Sequence, residues 1–178
     1  GELVHVIPPS APARKKGCVT EYRYSTSEHP TGPLAHNMTD IFDASGRHYL
    51  RNRYGTSVGM EDYNRVVHQR MAHGDFWFRY GAVDPVFSGE LPVQDRPTMR
   101  VWVKERNGYQ TLSIYNAWGS LLRKEETHTV DGGRRGQRVV WRYRYNRDGQ
   151  LIASRSPEGV VTHVLTAREH FFRVHDVD

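Results

Sequence analysis

Beyond the first 20 residues, hydrophobic and polar positions alternate with a period of two. Val139, Trp141, Tyr143 and Tyr145 alternate with Val140, Arg142 and Arg144. Phe76, Phe78 and Tyr80 alternate with Trp77 and Arg79, Val101 and Val103 flank Trp102, and Tyr22 and Tyr24 bracket Arg23. Alternation rich in β-branched and aromatic residues predicts half-buried antiparallel strands. Turn chemistry separates them. Asp43-Ala44-Ser45-Gly46, Asn116-Ala117-Trp118-Gly119 and Asn146-Arg147-Asp148-Gly149 each place Asp or Asn first and Gly fourth. The short polar side chain can bond forward onto its own backbone, and Gly accepts the positive φ that ends such a turn. Pro157-Glu158-Gly159 and Asp131-Gly132-Gly133 predict further reversals. The best helical candidate is Tyr63 to Met71, where Val66-Val67 fits a strand as well. The expected fold is all-β: repeated antiparallel hairpins forming a twisted sheet.

The segment before the strands has another character. Val6 to Lys16 holds three prolines within a few positions, which neither a helix interior nor a central strand accepts. Residues 1–20 are therefore expected to form a proline-rich arm or linker and residues 21–178 the hairpin repeats. Hydrophobic residues make up 37% of the chain, below the roughly 45–50% of globular domains. Ten Tyr, six Phe and four Trp nevertheless supply the buried area that disordered chains lack. Apolar runs are only a few residues long, so no membrane span is expected. Cys18 stands alone, which excludes an internal disulfide and a cysteine-based zinc cluster. The chain opens on Gly1 without a signal-peptide pattern, the expectation for a processed product or an internal fragment. A net charge of +5 favours acidic partners without naming one.

The turns belong to a repeat. Tyr115-Asn116-Ala117-Trp118-Gly119-Ser120-Leu121-Leu122 aligns with Tyr145-Asn146-Arg147-Asp148-Gly149-Gln150-Leu151-Ile152, and Phe42-Asp43-Ala44-Ser45-Gly46-Arg47 opens in the same way. An aromatic closes one strand, Asx and Gly turn the chain, and aliphatics start the next. Tyr145 to Thr162 resembles a nearly complete unit of the Rhs and YD-repeat family, including its Pro-x-Gly turn. Weaker units are read at Tyr49–Gly55, Asn64–Arg70, His73–Tyr80 and, with Glu169 in place of Gly, from Leu165.

The resemblance implies a role more than a reaction. Family members wind their repeats into a β-sheet shell, and in bacterial members the shell encloses a toxin delivered by secretion machinery. It thus implies a non-catalytic, cofactor-free wall segment, made in the bacterial cytoplasm and then secreted or delivered. Implied partners are other YD-repeat segments, the enclosed toxin domain and a secretion-system spike or adaptor. The turn residues Asp43, Gly46, Asn116, Gly119, Asn146, Gly149 and Gly159 are expected to hold the hairpins. The rings of Phe76, Phe78, Tyr115, Trp141, Tyr143 and Tyr145 are expected to pack them. The self-cleaving carboxylate signature that closes family shells has no counterpart here, and no toxin domain is read after the repeats.

Other chemistries compete for particular residues. Asp84-Pro85 could be a processing site, but a turn or strand exit explains it with less. His68 and His73, or His163, His170 and His175 beside Glu169, suggest a metal, yet no His-x-His or His-Glu-x-x-His spacing occurs. Arg134 to Arg138 followed by Trp141-Arg142-Tyr143-Arg144 interleaves cations with rings as nucleic-acid surfaces do. Strand alternation, however, sends the rings to one face and Arg142 and Arg144 to the other. Ser113, Ser120 and Cys18 are nucleophile candidates without a Gly-x-Ser-x-Gly elbow. Trp77, Trp102, Trp118 and Trp141 raise a carbohydrate-binding module, with Trp118, inside a turn, the ring expected to be exposed.

Overall fold

The computed structural model describes residues 4–6, 19–29, 31–71, 74–83, 91–130, 134–167 and 170–176. The fold is all-β. Its strands are β1 (His5–Val6), β2 (Thr20–Tyr24), β3 (Met38–Phe42), β4 (His48–Tyr54), β5 (Val66–Met71) and β6 (Gly74–Ala82). They continue with β7 (Pro97–Glu105), β8 (Gln110–Asn116), β9 (Leu121–Val130), β10 (Arg134–Tyr145), β11 (Leu151–Arg155), β12 (Val161–Ala167) and β13 (His170–Asp176). Within each of the chain's two compact units, strand order follows chain order, the simplest outcome when each strand is joined to the next by a short reversal. Among the described residues there is no α-helix; Ser25–Ser27 and Val93–Asp95 form single 3-10 turns.

Two compact units divide the chain, Gly1–Phe78 and Arg79–Asp178, with the division inside β6. In the first unit, Val6 pairs with Thr20 and His5 with Glu21, so the start of the expected arm joins the ladder. Residues 7–18, which hold the prolines and Cys18, lie outside the described residues. The helical candidate from Tyr63 resolves as strand: Val66–Met71 pairs with β4 on one side and β6 on the other. Two ladders satisfy its backbone on both edges, which a helix could do only by leaving both neighbours unpaired.

The units differ in what they bury. In the first, the connection between β2 and β3 is tied to itself: Ser25 Oγ donates to the Leu34 carbonyl and Thr26 Oγ1 to that of Ala35. Leu34, Ala35 and Leu50 form the buried apolar core there. In the second unit, no apolar side chain among the described residues is fully buried; Ser113, Asn116, Glu125 and Thr162 are, and all four are polar.

Candidate functional site

Three hairpin turns share one hydrogen-bonding scheme. Asp43 Oδ1 accepts from the amides of Ser45 (2.8 Å) and Arg47 (3.0 Å). Asn116 Oδ1 accepts from Trp118 (3.0 Å) and Ser120 (2.8 Å), and Asn146 Oδ1 from Asp148 (3.0 Å) and Gln150 (2.9 Å). In each turn the Asx amide donates to the carbonyl four residues on, and the Gly amide donates back to the Asx carbonyl. Gly46, Gly119 and Gly149 stand at φ of 79°, 77° and 78°. A register shift sits at the base of the turn in every case, at Ile41/Phe42, Ile114/Tyr115 and Arg144/Tyr145. This is a type I turn closed by a left-handed residue and a bulge.

Two further turns have the same backbone. Ser156 to Gly159 closes with Gly159 at φ 95°, and Glu105 to Gly108 with Gly108 at φ 82°. Sequence reading found the former through its Pro-x-Gly and missed the latter. Glu105 lacks the short acceptor of Asp or Asn; Asn107 Oδ1 accepts from the Tyr109 amide instead, at 3.0 Å. The signal left in the sequence was Asn107-Gly108 between two alternating stretches.

Not all the Asx residues are alike in their surroundings. Asn116 is only 2% exposed, and its Nδ2 donates to the Gln94 carbonyl at 2.8 Å, tying the turn to the 93–95 segment. Asn146 Nδ2 instead donates to Gln150 Oε1 at the surface. Asp43 carries extra donors from Ser45 Oγ and Arg47 Nε at 2.6 and 2.9 Å. Led by the Ser45 hydroxyl, these hold its carboxyl down at about 2.

The six expected rings are all half-buried and fall in different units. Phe76 and Phe78 belong to the first, where Phe76 stands opposite Gln69. Trp77 between them points the other way and meets the His68 ring at a centroid distance of 5.5 Å. Tyr115, Trp141, Tyr143 and Tyr145 belong to the second, where the Lys124 ammonium lies 5.4 Å from the Trp141 ring. Arg138, Arg142 and Arg144 are exposed while Val139, Trp141 and Tyr143 are half-buried, the segregation that alternation implied.

Ion pairs dominate the polar face of the first unit. Asp40 meets His48 Nε2 at 2.6 Å and Arg51 Nε at 3.1 Å; Asp75 meets His68 Nε2 at 3.0 Å and Arg70 Nε at 2.9 Å. Burial pushes the Asp40 carboxyl up, but hydrogen bonds from Thr39, Arg51 and His48 with the Arg51 charge outweigh it and hold it low. The Arg70 hydrogen bond, aided by its charge, does the same for Asp75. Carboxyls held low stay ionised near neutrality and serve as charge partners, whereas a general acid needs a pKa near the working pH. In the second unit, Glu125 is buried and paired with both Arg123 and Arg138. Glu126, on the other face, takes Lys124 and the Tyr109 hydroxyl.

Two concavities accompany these features. A polar cleft of about 440 Å³ in the first unit is lined by Ser25, Glu28, His29, Asn37, Asp40 and Arg51 among others. A shallow depression of about 350 Å³ in the second is lined by Trp118, Ser120, Arg147, Asp148 and Gly149, with the Trp118 ring 47% exposed. Among the described residues, no three His, Cys, Asp or Glu side chains gather as metal ligands. Ser113 is buried and Ser120 donates its amide within a turn. His73, Asp84-Pro85, Asp131 to Gly133 and Glu169 lie outside the described residues, as do the side chains of Arg134, Arg135, His170 and His175. Compared with protein-family models and with curated proteins, the chain matches none.

Proposed function

We propose that this chain is a non-catalytic wall segment of a YD-repeat-type shell that encloses and helps deliver a toxin. The observation that carries the reading is how little apolar side chain the second unit buries. Val101, Val103, Val139, Trp141 and Tyr143 lie on one face with Lys124 and Glu126 and are only part-buried, and no apolar side chain there is fully buried among the described residues. Part-buried apolar side chains gain stability when a second layer covers them, so this face calls for adjoining chain. Sequential hairpins closed by one recurring turn supply the second support, since a wall built by repetition needs a unit that reverses the chain in the same way each time. On this reading the partners are neighbouring repeats and the enclosed toxin, with a secretion-system spike or adaptor at delivery.

The test is the native mass of the purified protein with denaturing mass spectrometry of every component. Tight association with other β-repeat fragments or a small toxin supports the reading. A clean, well-folded 20.6 kDa monomer overturns it.

The depression beside Trp118 favours a second reading, a carbohydrate-binding module. An exposed indole next to Ser120, Arg147 and Asp148 offers a ring face for a sugar and polar groups for its hydroxyls. Quenching of tryptophan fluorescence by glycans, lost in Trp118→Ala, would identify it. No response across a glycan panel would exclude it.

A further inference from the structure

The registers of β7 to β11 line up one row of residues across the second unit. Arg100 stands opposite Ile114, Ile114 opposite Arg123, Arg123 opposite Arg142, and Arg142 opposite Arg155. Arg123, Arg142 and Arg155 therefore occupy directly adjacent strands, about 4.8 Å apart in the pairing direction. Like charges placed directly opposite are unfavourable. The first unit resolves the same problem by supplying carboxylates: Asp40 stands opposite Arg51 and pairs with it, and Asp75 stands opposite Arg70 and pairs with it. The second unit supplies Glu125, which Arg123 and Arg138 take up. Arg142, Arg144 and Arg155 are exposed and have no carboxylate partner among the described residues.

We infer that Arg142, Arg144 and Arg155, with Arg100 farther along the row, form a docking surface for an acidic polypeptide segment whose carboxylates stand where the first unit has aspartates. Guanidinium forks match carboxylates geometrically, and the Glu125 pairs show that match on this same face. Phosphate would also suit a guanidinium, but bases would find no stacking platform. Trp141 and Tyr143 occupy the opposite face, and Trp102, which shares the arginine face, already has Arg79 at 5.6 Å and Arg100 at 4.9 Å from its ring. The inference concerns the arginine face and stands apart from the shell reading, which rests on the face that carries Trp141 and Tyr143.

The experiment measures binding of the full chain to fluorescent poly-L-glutamate and, separately, to a thymidine oligonucleotide of equal charge, at low salt. The row variant is Arg142→Gln/Arg155→Gln. The charge-matched control is Arg53→Gln/Arg106→Gln, two exposed positions elsewhere. Poly-L-glutamate should bind the wild type, the row variant should weaken it about tenfold, and the control should stay close to wild type. Circular dichroism confirms the fold of both variants; Arg144→Gln replaces the double variant if that does not fold. Equal weakening by row and control variants reduces the effect to net charge and overturns the proposal. So does absence of poly-L-glutamate binding, or tighter binding of the oligonucleotide lost in the row variant, which would mark a phosphate surface.

Discussion

The hydroxyl of Tyr145 donates to the backbone carbonyl of Leu121 at 3.0 Å, across 24 residues of chain. The ring that precedes one Asx turn is thereby fastened to the residue that leaves the previous one. Burial raises the pKa of this phenol, as expected for a hydroxyl withdrawn from water, with the neighbouring Tyr143 adding to it. Tyr145→Phe keeps the ring and leaves the Leu121 carbonyl without this donor. We expect a loss of about 0.5–1.5 kcal/mol. Urea unfolding should show a lower midpoint at unchanged slope. An unchanged midpoint would mean that the hydroxyl contributes nothing to holding successive hairpins.

Gly149 separates strain from crowding. Its φ is 78°, and an added Cβ would meet no atom within 4 Å. Any cost of substitution must therefore come from the backbone conformation itself. Gly149→Val should cost about 1–3 kcal/mol, because a β-branched residue resists the left-handed region. Gly149→Asn should cost clearly less, since Asn adopts that region more readily. His163→Ala, at an exposed strand position, should stay within about 0.5 kcal/mol. Thermal unfolding of the three variants checks the order, and equal losses in Val and Asn would sink the turn assignment.

These two positions also show what the sequence makes legible. Turns are local, so Asx-x-x-Gly announces both the reversal and its glycine. The turn from Glu105 to Gly108 escaped because its acceptor moved to Asn107. The difference between Asn116 and Asn146 escaped because Gln94, which receives the buried Asn116, is distant in sequence. Alternation separated Trp141 and Tyr143 from Arg142 and Arg144, but it could not align Arg142 with Arg123 and Arg155. That alignment depends on register across β9, β10 and β11, which shifts at Arg135/Arg138 and at Arg144/Tyr145 reset. Nor did alternation divide the rings, with Phe76 and Phe78 in one unit and the others in the second.

Asp43 predicts a specific acid response. Its carboxyl falls from an ordinary 3.8 to about 2 in the folded turn, chiefly through the Ser45 hydroxyl and the Arg47 amide. A depressed folded pKa contributes stability above 3.8 that is lost as pH falls toward about 2. Asp43→Asn retains the Oδ1 acceptor, as Asn116 and Asn146 demonstrate in their own turns. The variant should keep the hairpin near neutral pH and lack this part of the acid loss. Urea midpoints at about pH 5 and about pH 1.5, on either side of the shift, should differ less in Asp43→Asn than in the wild type. An identical pH dependence would assign the acid loss to other carboxyls.

Gly55 fails for the opposite reason to Gly149. An added Cβ there would collide with the backbone carbonyl of Asp62, and the collision cannot be relieved by a side-chain rotation. The close approach closes the 56–64 loop: Gly55 donates to the Arg65 carbonyl and accepts from the Asn64 amide, both at 2.9 Å. Asn64 holds φ at 58° and accepts from Asn37 Nδ2 at 2.7 Å, so the same closure reaches the 25–37 connection. Gly55→Ala should therefore force the loop base apart, at a cost of about 1–3 kcal/mol. Because β4 and β5 pair independently from Leu50–Met71 to Arg53–His68, the ladder itself should survive. Hydrogen exchange should accelerate at the amides of Gly55 and Asn64 while that of Asn52 and Gln69 stays slow. Acceleration spread evenly over β4 and β5 would show that the loop base and the ladder open as one unit.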